Sequence, residues 1–156
     1  MKKIFYLLSM VVAVMTVSSC SNEQEDFFND SSANRANAEI KNTIEVLSSA
    51  SNGWIMQYFP GDPETWGGYN MLAKFDTDGK VTVANEVSFA DYTETSYYSV
   101  KQSAGVMLSF DTYNNLFHVF SDPSAPLAGD QGSGMEGDYD FSVLSATKDK
   151  VVLKGR

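Results

Sequence analysis

Two different periods organise this chain. Ala36, Ile40, Ile44 and Leu47 recur at the spacing of one helical face and predict an α-helix over Ala33–Ser51. Ser31 or Ser32 can cap its start, Lys41 and Glu45 make an i,i+4 pair on its solvent side, and Asn52-Gly53 supplies a left-handed stop. After Gly53 the period falls to two, the spacing of strands with one buried face. Strands are predicted at Trp54–Phe59, Tyr69–Asp76, Lys80–Asn85, Ser96–Gln102, Val106–Asp111, Leu116–Ser121, Tyr139–Ser145 and Lys150–Lys154. Asp78-Gly79 is a tight hairpin signal, and Thr147-Lys148-Asp149 turns the last pair. In the fifth strand Val106, Leu108 and Phe110 share one face while Met107, Ser109 and Asp111 share the other. Short strands with almost no helix between them pair antiparallel. The expected fold is mainly β, an antiparallel meander forming a barrel-like or sandwich sheet, with one N-terminal α-helix.

The first residues follow a separate pattern. Lys2 and Lys3 precede an uncharged stretch from Ile4 to Val17, and Val17-Ser18-Ser19 leads into Cys20, the only cysteine. A positive start, an apolar core and small residues before a cleavage point are the order of a secretory signal. The apolar stretch falls short of the roughly 20 residues of a membrane span. With cysteine at the cleavage point, the segment looks like a bacterial lipoprotein signal, so Cys20 is the expected lipidation site and new N-terminus. Residues 1–19 are then the signal peptide, 20–33 a lipidated acidic tether and 34–156 the domain. Two or more acyl chains would hold it stably on a bilayer. Ser21 follows the cysteine, with no aspartate to retain the protein at the inner membrane. Asn22-Glu23-Gln24-Glu25-Asp26 resembles the acidic export tag of surface lipoproteins in Bacteroidetes-type bacteria, and it also reads as a solvated tether.

Composition narrows the partners. Loss of Lys2 and Lys3 would take the net charge from −9 to −11, a field that repels nucleic acid and anionic headgroups. A lone, acylated cysteine leaves no disulfide, so packing must hold the domain together. The 10 phenylalanines and 8 tyrosines supply strand-favouring bulk for that packing.

Chemistry-bearing motifs are sparse. There is no nucleophile elbow, zinc-protease helix or phosphate loop. The single histidine, His118, falls within a predicted strand, where a packed role outweighs catalysis. Calcium, which takes oxygen ligands, is the metal that would suit Asp130, Glu136, Asp138 and Asp140 in a glycine-rich loop. Turn chemistry accounts for the same acids and glycines and is the favoured reading, so no cofactor is expected. Trp66, beside Gly67-Gly68, and Tyr69 form the candidate stacking surface for a neutral sugar, with the capping of a core edge as the competing role. Paired carboxylates could run glycoside hydrolysis, but a chain with 20 acids always offers pairs.

An ordered set of short segments runs through the mature chain. It includes Gly53-Trp54, Tyr58 with Pro60, Gly67-Gly68-Tyr69, Lys74-Phe75-Asp76 and Gly79-Lys80-Val81. Ser96-Tyr97, Leu108-Ser109-Phe110-Asp111-Thr112-Tyr113-Asn114, His118, Phe120-Ser121-Asp122-Pro123, Gly137-Asp138-Tyr139-Asp140-Phe141 and Leu153-Lys154-Gly155 continue it. Together they resemble a domain of unknown function found in lipoproteins of Bacteroides and relatives. The resemblance is to the N-terminal portion of members much longer than this chain. It implies no catalytic residues, and it implies an accessory role in outer-membrane nutrient uptake.

The expectation is therefore a non-enzymatic binding or accessory module for glycan or peptide capture, anchored in the outer membrane through Cys20 and exposed at the cell surface. An outer-membrane transporter is its expected partner, and nucleic acid is not. A surface hydrolase using carboxylates and a structural lipoprotein without ligand are the alternatives. The abrupt stop after the last strand predicts a fragment of a longer protein or an early stop.

Overall fold

The computed structural model of the chain describes residues 30–156; the expected signal segment, Cys20 and the acidic run after it lie outside the described residues. Helix α1 spans Ser32–Ser49 and takes in residues that the sequence pattern assigned to the tether. Its stripe of Thr43, Val46 and Leu47 is buried. Gly53, at φ 78°, donates its N–H to the Ala50 carbonyl and turns the chain out of the helix. The Trp54 indole N–H then donates to the Leu47 carbonyl at 2.8 Å, satisfying a group that the helix end leaves open. Among the described residues no helix is long and apolar enough to cross a membrane.

Seven antiparallel strands follow: β1 (Trp54–Tyr58), β2 (Tyr69–Phe75), β3 (Lys80–Asn85), β4 (Glu94–Gln102), β5 (Val106–Phe110), β6 (Asp140–Ala146) and β7 (Val151–Gly155). They pair in chain order, and the sheet curls as a half-barrel. α2 (Pro63–Trp66) is a single turn between β1 and β2, and α3 (Asn115–His118) lies between β5 and β6. The Asp78-Gly79 turn forms as expected, with Gly79 at φ 83° and the Asp76 N–H donating to the Lys80 carbonyl.

One predicted strand, Leu116–Ser121, is not a strand. Asn114 is extended, at φ −133° and ψ 117°, and its side-chain oxygen accepts the Leu116 N–H. That cap starts a helical turn instead of a ladder. The turn also answers a burial demand, since Leu116, Phe117, His118 and Phe120 are all buried. A strand would have turned Phe117 away from the other three.

The core lies on the concave face under α1. Phe110 and Phe117 stack at 3.8 Å between ring centroids, and Tyr58, Phe120 and Phe141 pack around them. β5 departs from simple alternation because all five of its residues are buried. On its convex side the Ser109 hydroxyl donates to the Asp140 carboxylate, and an Arg156 guanidinium nitrogen lies 3.2 Å from the Met107 sulfur. The long loop from Asp122 to Asp138 is pinned by Met135, which is fully buried and donates its N–H to the Phe120 carbonyl.

Candidate functional site

β1 and β7 end the sheet, each paired on one side only. In an antiparallel ladder alternate residues direct their backbone groups to the same neighbour. The Asn70 carbonyl accepts the Glu86 N–H and the Asp76 N–H donates to Lys80, so the even-numbered residues of β2 serve β3. The odd-numbered ones serve β1, where their partners are Trp54, Met56 and Tyr58. Ile55 and Gln57 therefore aim their N–H and C=O groups away from the sheet.

The same logic holds at the other end. The Phe110 N–H donates to the Tyr139 carbonyl, which assigns Phe141 to β5 and Ser142 to β7. Ser142 pairs with Lys154, and the Thr147 N–H donates to the Lys150 carbonyl. Val151 and Leu153 are left with outward-facing backbone groups.

A cleft of about 540 Å³ lies between these free edges. Leu47, Ala73, Phe75 and Leu108 contribute from the core, Met56 and Leu153 from the walls, and Asp149 and Lys150 from one rim. A concave, mostly apolar site with a few polar groups at its margin is the usual form of a binding pocket. The cleft was hidden in the sequence by the strand count. An eight-stranded meander can close with every neighbour antiparallel, whereas seven strands leave β1 and β7 running the same way. Leu116–Ser121, expected as a strand, adds none to the sheet.

A polar cluster surrounds His118. Its Nδ1 lies 3.1 Å from the Asn114 nitrogen and 3.3 Å from the Asn114 carbonyl oxygen, so it accepts from the one or donates to the other according to the ring's tautomer. Tyr113 and Tyr139 flank the ring at 5.1 and 5.4 Å between centroids. Burial lowers the pKa of His118, against smaller opposing effects of the Asn114 and Phe110 backbone groups and Glu94. Asn114, fully buried, also donates to the Ser96 hydroxyl and the Glu94 carbonyl. Through the Asn114 amide the cluster joins the loop before α3 to β4, and through Tyr139 it reaches the segment that enters β6.

The sites named from sequence fall elsewhere. Trp66 ends α2 and Tyr69 begins β2; both are half-buried and pack against the core, Tyr69 at 4.8 Å from Phe120. Of the loop acids, Asp140 accepts the Ser109 hydroxyl and the Asp138 carbonyl accepts the Tyr58 hydroxyl. Asp130 bridges to Gly134, and Glu136 takes a left-handed turn at φ 55°. Among the described residues no group of three or more acids, histidines or cysteines is placed to hold a metal ion.

Residues 24–156 match the family model described as "Domain of unknown function (DUF4302)". The chain belongs to this family. The match takes in every strand of the half-barrel, both walls of the cleft and the His118 cluster. No curated protein and no solved structure matches the chain.

Proposed function

We propose that this chain is a lipid-anchored binding module of the outer membrane, with the cleft between β1 and β7 as its ligand site. The observation that carries the reading is the cleft itself, a 540 Å³ apolar hollow that reaches the core residues Ala73, Phe75 and Leu108. Its lining offers burial for apolar surface, and its charged groups, Asp149 and Lys150, stand at a rim. That is the equipment of a binder, whose affinity comes from desolvated area. The anchor rests on the Lys2-Lys3 start, the apolar stretch and Cys20, and the outward address on the acidic run from Glu23 to Asp26. The resemblance to Bacteroides-type lipoproteins supports both and adds accessory service to a transporter in nutrient capture.

Two measurements test this reading. Fatty-acid labelling should mark the wild type and not Cys20→Ala, which should also leave the membrane fraction. Titration with the apolar dye anilinonaphthalene sulfonate should saturate at one site per folded chain. Met56→Asp on the cleft wall should abolish that binding, and Tyr97→Asp on the convex face should leave it unchanged. Equal binding by both variants, each with a normal melting transition, overturns the cleft as the site.

A further inference from the structure

We propose that His118 is an acid-released latch: on taking up a proton its ring leaves the space between Tyr113 and Tyr139 for water and lets go of the Asn114 backbone, in a local opening that leaves the sheet folded. The device is independent of what the cleft binds.

The ring is buried under a thin cover. His118 is 8% exposed, while Tyr113 and Tyr139, which flank it, are 57% and 48% exposed. The Tyr113 hydroxyl is tethered to the Asp122 carboxylate at 2.9 Å. Tyr139 is fixed through its backbone, whose carbonyl accepts the Phe110 N–H, and its ring rests on His118. Rotation of the Tyr139 side chain therefore gives the imidazole a way to water that breaks no ladder bond. Protonation supplies the drive. A charged ring carries a proton on both nitrogens, so Nδ1 cannot accept the Asn114 N–H, whose nitrogen lies 3.1 Å away. The Asn114 and Phe110 backbone groups and Glu94 favour the charge, but burial outweighs them and keeps the pKa of the ring below its ordinary value. Leaving for water removes that burial.

The surroundings confine the opening. Phe117 and Phe120, on the same segment, are buried in the core, and the Asn85 amide donates to the Leu116 carbonyl at 2.6 Å. The Asn114 side chain donates to the Glu94 carbonyl and the Ser96 hydroxyl. None of these contacts passes through the imidazole. The charged and titratable groups around the ring are Glu94 from β4, Tyr113 and Tyr139, with Asp122 behind Tyr113. The Glu94 carboxylate accepts the Asn115 N–H at 3.0 Å and the Asn115 amide. The Ser124 hydroxyl and N–H hold the Asp122 carboxyl below the usual carboxylate range, and burial together with the Asp122 bond raises the Tyr113 phenol. Neither Asp122 nor Tyr113 changes charge where an imidazole titrates. Acid thus converts a closed aromatic stack into an exposed tyrosine and an exposed imidazolium on one surface.

The test uses the full chain without a tag, in detergent, where the single histidine gives one set of imidazole signals. NMR follows the ring, the Tyr139 side chain and amide exchange protection through the imidazole titration. As the ring charges, the Tyr139 signals should move to those of an exposed tyrosine. Protection of the Asn114 amide should fall about tenfold or more while Val83 and Leu108 keep theirs. His118→Gln should show neither change. In Tyr139→Ala the imidazole should titrate nearer the ordinary histidine value, because water already reaches it. Titration with unmoved Tyr139 signals and a protected Asn114 amide would show the tyrosine faces and backbone carbonyls holding the charged ring in place. Joint loss of protection at Asn114, Val83 and Leu108 would be global unfolding, and the same opening in His118→Gln would assign it to a carboxylate. Each of these three results, or an unchanged imidazole titration in Tyr139→Ala, overturns the proposal.

Discussion

The Tyr58 hydroxyl donates to the Asp138 carbonyl at 2.9 Å across 80 residues of sequence. It ties the end of β1 to the segment that enters β6, near the two sides of the open seam. Burial is the main reason that its pKa lies far above the usual phenol value, with the Asp138 charge adding to it. The hydroxyl therefore stays a donor at any physiological pH.

Tyr58→Phe should cost about 1–3 kcal/mol, because it leaves the Asp138 carbonyl without that donor while keeping the ring contacts with Phe117 and Phe120. A denaturant melt should show a lower midpoint at unchanged slope. No change in midpoint would mean that water replaces the hydroxyl freely.

Asn114→Ala should cost more, about 2–4 kcal/mol. It removes the cap of α3 and strands the buried groups of Ser96 and Glu94 that the amide now serves. Asn114→Asp should restore the cap but not the donation to Ser96, so its melting temperature should fall between those of Asn114→Ala and the wild type.

His118 predicts a pH dependence. Its folded pKa lies below the ordinary value because burial penalises the charged ring. Below about pH 6.5 the unfolded chain then binds the proton more readily than the folded one. The His118 contribution is complete above that pH and is lost as the pH falls toward the lowered folded value. The melting temperature should drop between pH 7 and the onset of carboxylate protonation, and His118→Gln should flatten that slope. An unchanged slope in the variant would assign the drop to other groups.

The glycines of the long loop separate backbone strain from steric overlap. Gly129 and Gly132 have φ of 98° and 104°, where an L side chain is strained by about 1–3 kcal/mol. A Cβ at Gly132 meets open space, while one at Gly129 runs into the Gly134 carbonyl. Gly129→Ala should therefore melt well below Gly132→Ala, by a further ~2 kcal/mol or more. Equal melting of the two variants would mean that the loop shifts to make room.

The loop acids should not respond to calcium. Asp140 is engaged by Ser109, and Asp130 and Gly134 form a tight turn held by backbone bonds. Millimolar calcium should leave the melting temperature unchanged, and removal by chelation should do the same. A rise on calcium addition that Asp138→Asn abolishes would show that the acids rearrange around the ion.

Much of the architecture was legible locally. The helix, the hairpin at Asp78-Gly79 and seven of the strands came within two residues of their observed ends, since side-chain period and turn chemistry act over a few neighbours. Leu116–Ser121 was misread because alternating Leu116, His118 and Phe120 imitates a strand. The packing of Phe117 on Phe110 and the cap from Asn114 favour the helical turn, and the period encodes neither contact. Trp66 and Tyr69 both pack against the core, in keeping with the capping of a core edge that the sequence also offered for them; which core they meet is a property of the assembled fold.

By itself the sequence determined the mainly β class, the antiparallel order, the acidic charge and a start in which two lysines and an uncharged stretch lead to Cys20. Each depends on composition or on neighbours along the chain. Only the tertiary structure decided that the strands of the described residues number seven, that β1 and β7 are the edges of their sheet, and that an apolar cleft opens between them. Those features arise where residues about a hundred positions apart, such as Met56 and Leu153, come to line one cleft of a curled sheet. Short-range periodicity carries no information about such a placement.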